Sequence, residues 1–163
     1  MDSIREILGR LNEHEVEFVV IRGVAAILHG SARAKLDVDV CAPLIEPNLS
    51  RILSSLRGTN PKWRMRPDKP PIPDDPEKLK GFKNLYLQTD MGVLDILNEV
   101  TGIGAYEQVR TDSTEVDLGD IKLRVLSLES LIRSKQAAVR RKDLEAVKEL
   151  EAIRKKLRER GRG

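Results

Sequence analysis

Asp37 and Asp39 stand two residues apart in Leu36-Asp37-Val38-Asp39-Val40-Cys41, a run that otherwise reads as a buried strand. Side chains alternate along a strand, so the two carboxylates share one face while Leu36, Val38 and Val40 share the other. Burying either acid unpaired costs several kcal/mol. A divalent cation relieves that cost, and paired carboxylate oxygens suit Mg²⁺ or Mn²⁺. An edge strand carrying two solvated aspartates is the other reading of the same spacing.

A third acid, Asp95, interrupts Val93-Leu94-Asp95-Ile96-Leu97. If that strand neighbours the first, three carboxylates could converge on one metal site; in two-metal chemistry one ion activates an attacking hydroxyl while the other holds the triphosphate and leaving group. An ion pair with a nearby Arg or Lys is the alternative for Asp95. Ahead of the acid pair, an apolar strand over 16–21 runs into Arg22-Gly23 and then a short apolar helix over 24–29. A glycine between strand and helix lets a phosphate approach the backbone, where the helix N-terminus offers free N–H groups. Arg22 can add a positive charge. Taken alone, the same glycine is a tight turn between strand and helix.

The elements that must hold these groups follow from periodicity. An apolar stripe of Ile4, Ile7, Leu8 and Leu11 predicts a helix over 3–14. The strand at 16–21 is nearly all apolar and belongs in a sheet interior. The acid strand covers 36–42, and a second amphipathic helix covers 48–56. Residues 58–83 hold six of the eight prolines, a long segment of the kind that is often functional or mobile. Within it, Trp63-Arg64-Met65-Arg66 reads as a short strand. Strands over 84–88 and 92–97 form a hairpin, and a Gly-containing stretch, 98–104, follows. A second hairpin lies over 116–125 with its turn at Gly119-Asp120. Ser127 opens a helix. A separate charged helix runs from about 142 to 158 with Leu144, Val147, Leu150, Ile153 and Leu157 as its stripe. The fold class is α/β (α+β): a mixed, twisted sheet flanked by helices in one domain over 1–163. Its core is about 1–126, a helical segment spans about 127–158, and a basic tail covers 159–163.

The order Phe18-Val19-Val20-Ile21-Arg22-Gly23, His29-Gly30, Arg33 and Asp37-Val38-Asp39-Val40 resembles the signature of the nucleotidyltransferase superfamily related to DNA polymerase β. The run from Arg33 to Asp39 looks most like small stand-alone prokaryotic members, including toxin-type enzymes of abortive-infection systems. So do Leu126-Ser127-Leu128-Glu129-Ser130-Leu131-Ile132-Arg133-Ser134-Lys135 and Arg140-Arg141-Lys142-Asp143-Leu144. The resemblance implies the nucleotidyltransferase fold with C-terminal helices. It also implies transfer of a nucleoside monophosphate from an NTP to an acceptor hydroxyl on RNA, protein or a small molecule, with Mg²⁺ or Mn²⁺ as cofactor. Asp37 and Asp39 would bind both metals, and Asp95 the ion that activates the hydroxyl. Gly23 and the helix at 24–29 would hold the β- and γ-phosphates. Arg22, Arg33, Lys135 and Lys142 would be further nucleotide contacts, although Arg33 could equally steady its loop. Arg22 departs from the family, which carries glycine there, and Lys35 stands where relatives often have Thr. The alternative is an inactive domain of the same fold that binds nucleotide, RNA or a protein partner. Either form could be the toxin half of a toxin–antitoxin pair, with an antitoxin-type protein as partner.

Composition narrows the field. At 163 residues with 40% hydrophobic and 34% charged residues, the chain can bury a proper core. Aromatics make up 3%, too few for a base-stacking platform as the main binding mode. Lys and Arg outnumber Asp and Glu by 29 to 26, which permits a nucleotide or nucleic-acid partner without demanding one. Cys41 is the single cysteine, so no internal disulfide or cysteine zinc cluster is possible. The start of the chain is polar, and no apolar run approaches membrane length. A cytoplasmic protein without a membrane partner is expected.

Overall fold

The computed structural model describes residues 2–23 and 37–161; of residues 2, 3, 23 and 140–149 only the backbone is described. The expected helix at 24–29, Gly30, Arg33 and Lys35 lie outside the described residues.

The chain opens with α1 (Asp2–Glu13), whose stripe of Ile4, Ile7, Leu8 and Leu11 is buried as its spacing demands. Glu15 ends the helix in the left-handed region at φ 57°. The Val16 amide then reaches back to the Leu11 carbonyl and the Glu15 amide to that of Asn12. These two bonds cap α1 and turn the chain into the sheet. The strands are β1 (Val19–Gly23), β2 (Val38–Cys41), β3 (Lys62–Trp63), β4 (Asn84–Thr89), β5 (Gly92–Leu97), β8 (Ser113–Asp117) and β9 (Lys122–Leu126). They form one sheet in the order β3-β4-β5-β2-β1-β9-β8. Pairs β2–β5 and β1–β9 are parallel, and the other four are antiparallel. This is the mixed sheet expected from the sequence.

Two short strands, β6 (Glu99–Val100) and β7 (Gly104–Ala105), make a separate ribbon that leads into α4 (Tyr106–Thr111). Neither the ribbon nor α4 was expected. Helix α2 (Asn48–Leu56) packs on α1 and buries Leu49, Ile52, Leu53 and Leu56. Its first residue, Asn48, is a buried amide that binds both the amide and the carbonyl of Glu17, at 2.7 and 3.1 Å, and the Pro43 carbonyl at 3.0 Å. One side chain thus ties the approach to β1 to the exit from β2 and satisfies three backbone groups.

The proline-rich segment is folded back on itself. Its Lys62 bridges to Pro71, the Trp63 amide bonds the Pro70 carbonyl, and α3 (Pro76–Leu79) buries Leu79. The strand expected at 63–66 stops at Trp63, where the segment turns toward Pro67 and Pro70. At the far end, the two expected C-terminal helices are one, α5 (Leu128–Gly161), 34 residues long, which also takes in most of the expected tail. Among the described residues no helix is long and apolar enough to cross a membrane.

Val38, Val40, Leu94 and Ile96 are at most 1% exposed and form the centre of the apolar layer. Leu94→Ala is expected to cost about 2–5 kcal/mol, lowering Tm by roughly 2–4 °C for each kcal/mol lost. Thermal unfolding followed by circular dichroism checks this.

Candidate active site

In the β2–β5 pairing, Asp39 lies directly beside Asp95. Both are buried, at 4% and 8% exposure, on the face opposite the Val38–Leu94 layer. Asp37 precedes β2, is half-buried, and by alternation belongs to the same side. The charges of Asp39 and Asp37 both raise the proton affinity of Asp95, so Asp95 senses both of the other acids.

Two arginines extend this row across the sheet. On β1, Val20 pairs with Val40, but Arg22 rather than Ile21 pairs with Asp39. The strand bulges between those positions. Without that extra residue, Arg22 would sit opposite Val38, on the apolar side. The bulge turns it toward the acids, and its guanidinium lies 3.6 Å from an Asp39 oxygen. Arg22 is half-exposed, so its charge stands at the rim of the site.

On the other side, Tyr86 of β4 pairs with Asp95. The Arg64 amide donates to the Tyr86 carbonyl at 3.0 Å, which fixes the backbone of the proline-rich segment at this point. The Arg64 side chain then crosses the Tyr86 ring, 5.6 Å from its centroid. Its Nη2 and Nε donate to the two Asp95 oxygens at 2.6 and 3.2 Å. Trp63, stacked on Phe82 at 5.1 Å, braces the same turn, and Arg66 lies over the Trp63 ring. Asp95 therefore lies beside Asp39 and is at the same time paired with an arginine, the ion pair that was the alternative to a metal-binding role.

Burial pushes the Asp95 carboxyl above its ordinary value; the Arg64 hydrogen bond and charge pull it back, and Asp39 and Asp37 push it up again. The net direction is upward, so the arginine only partly offsets burial and repulsion. Cys41, two residues beyond Asp39, is fully buried. Burial, and then the charge of Glu99, raise its thiol to about 12, which makes it an inert core residue.

The remaining expected contacts are less concentrated. Gly23 ends β1 opposite Val38, and Arg33 lies outside the described residues. Lys135 is exposed on α5, and of Lys142 only the helical backbone is described. Among the described residues, Arg22 and Arg64 are cations seated on the acids. Of these, Arg64 was not singled out from the sequence. Its only signal is an arginine in an irregular segment, and only the order of β3, β4 and β5 brings it to Asp95.

The acid-only oxygen donors suit a hard divalent ion. Among the described residues, however, no three His, Cys, Asp or Glu side chains are grouped so as to hold a metal as they stand. Arg64 occupies both Asp95 oxygens, so an ion shared with that residue requires the arginine to move aside.

The mixed sheet and its helices form a nucleotidyltransferase-like fold. A crystal structure of a "putative nucleotidyltransferase" from Thermotoga maritima is similar to this chain, with a TM-score of 0.51 and 21% identity over 96% of this chain and 91% of that one. No protein-family model matches the chain, and no curated protein matches it.

Proposed function

We propose that the chain transfers a nucleoside monophosphate from an NTP to an acceptor hydroxyl, in a reaction that depends on Mg²⁺ or Mn²⁺. The observation that carries this reading is the buried Asp39–Asp95 pair on neighbouring strands, with Asp37 on the same side. Asp37, Asp39 and Asp95 would hold the metal. When bound, it supplies charge neutralisation at the triphosphate and a more acidic attacking hydroxyl. The chain's own residues position the reactants for in-line displacement. Arg22 meets phosphate charge at the rim, Gly23 lets the triphosphate approach the backbone, and Arg33, Lys135 and Lys142 add contacts. Arg64 holds Asp95 when no ion is present and releases it when one enters. The acceptor is an RNA end, a protein side chain or a small molecule. A toxin-type role, with an antitoxin-type protein as partner, is the setting proposed for it.

A second reading is favoured by one specific observation: Arg22 and Arg64 already compensate Asp39 and Asp95. On that reading the domain binds nucleotide, RNA or a protein without chemistry, and the arginines replace the metal permanently.

Incubation with α-labelled NTPs, Mn²⁺ or Mg²⁺, and total RNA or protein separates the two. Metal-dependent labelling that Asp37→Ala abolishes is expected. Labelling that survives this substitution removes the acids from the mechanism, and nucleotide binding without labelling or metal dependence supports the second reading.

A further inference from the structure

Helix α5 outruns the body it grows from. At 1.5 Å per residue its 34 residues span about 51 Å. Its first turns are docked: Leu131, Ser130 and Ser134 are buried, and Gly102 packs so closely that a side chain there would collide with Ala137. From Leu150 to Gly161 every residue is exposed. That stretch includes Leu150, Ile153 and Leu157, which are 66%, 56% and 61% exposed. Their spacing puts them on one face of the helix, and Leu144 and Val147 continue the same pattern in sequence. An apolar stripe on a helical stretch that is exposed throughout, as residues 150–161 are, calls for a partner.

The charges indicate which partner. Residues 143–151 carry Asp143, Glu145, Glu149 and Glu151 against Lys148 alone. Residues 152–160 carry Arg154, Lys155, Lys156, Arg158 and Arg160 against Glu159 alone. The distal half of α5 is therefore acidic and then basic, with Leu150 near the boundary.

We propose that two copies of the chain associate through this half of α5, packed antiparallel about a two-fold axis near Leu150. In that register position 147 lies opposite 153, and position 144 falls within one residue of 157, so apolar positions meet or neighbour apolar positions. Each acidic stretch runs beside the partner copy's basic stretch, and the symmetry makes the match twice. A parallel pairing sets acid against acid and base against base, which opposes it.

Sedimentation of the full chain is expected to give a dimer that weakens as salt is raised. Leu150→Asp is expected to raise the dimer dissociation constant by about tenfold or more, with circular dichroism unchanged. Orientation is read by disulfide trapping, which buried Cys41 does not disturb. Leu150→Cys should cross-link between copies, because position 150 meets itself at the axis, and Leu157→Cys should not. A chain that stays monomeric at high concentration and low salt overturns the proposal, as does a dimer indifferent to Leu150→Asp. Equal cross-linking at 157 overturns the antiparallel arrangement. A monomer that binds a different protein through this stripe assigns the surface to that partner and likewise refutes self-association.

Discussion

Asp39→Asn is expected to lower nucleotide transfer by about 10²–10³-fold or more, with the fold preserved. The amide keeps the size of the carboxylate but loses the negative charge that would hold a divalent ion. Asp95→Asn should act in the same direction, and it adds a diagnostic in stability. The folded chain holds the Asp95 proton more tightly than the unfolded chain, whose value is near 3.8. Stability from this group is therefore fully present below about 3.8 and is lost as pH rises through the higher folded value. Asp95→Asn removes that loss, so melting temperature plotted against pH across the acid range should fall less steeply than in the wild type. Initial rates with labelled NTP and a series of thermal melts check the two halves. Transfer that persists in Asp39→Asn rules the carboxylates out of catalysis.

Arg64→Ala is expected to do two opposite things. It should tighten Mn²⁺ binding by about tenfold or more, because the ion no longer displaces charge-assisted hydrogen bonds worth about 1.5–3 kcal/mol. It should also destabilise the metal-free fold, because Asp95 is left buried without its cation. Breaking a fully buried pair costs about 3–5 kcal/mol. Here the Arg64 side chain is 29% exposed. Solvent takes up part of the loss, and about 1–2 kcal/mol is expected. Calorimetric Mn²⁺ titration and thermal melts with and without the ion measure both effects. Unchanged or weaker metal binding in Arg64→Ala would mean that the arginine is a fixed part of the site, as the non-catalytic reading requires.

The acids could be read from sequence because carboxylates inside apolar strands have few physical explanations. The alternation that separates Asp39 from Val38 and Val40, and Asp95 from Leu94 and Ile96, survives folding unchanged. The site's arginines were harder to read. Arg22 faces the acids only because β1 bulges, and no residue type in 19–23 announces that bulge. Arg64 depends on the long-range order of three strands. The ribbon β6–β7 and helix α4 are too short to establish a period. Helix α5 was divided at Arg140-Arg141-Lys142, where the apolar stripe lapses. Those residues and the alanines before them are good helix formers, so backbone propensity carries the helix through the gap.

The row of acids also fixes how the strands may pair. Sliding β2 by one residue against β5 would rotate every β2 side chain to the opposite face and drive Asp39 into the layer of Leu94 and Ile96. Sliding it by two would restore the faces but separate Asp39 from Asp95 and Arg22. An all-apolar β2 would tolerate such misalignments far better, since its valines would carry no charge into the apolar layer. The charges that make this strand costly to bury therefore leave it one acceptable alignment, and the site's chemistry doubles as a registration mark for the middle of the sheet.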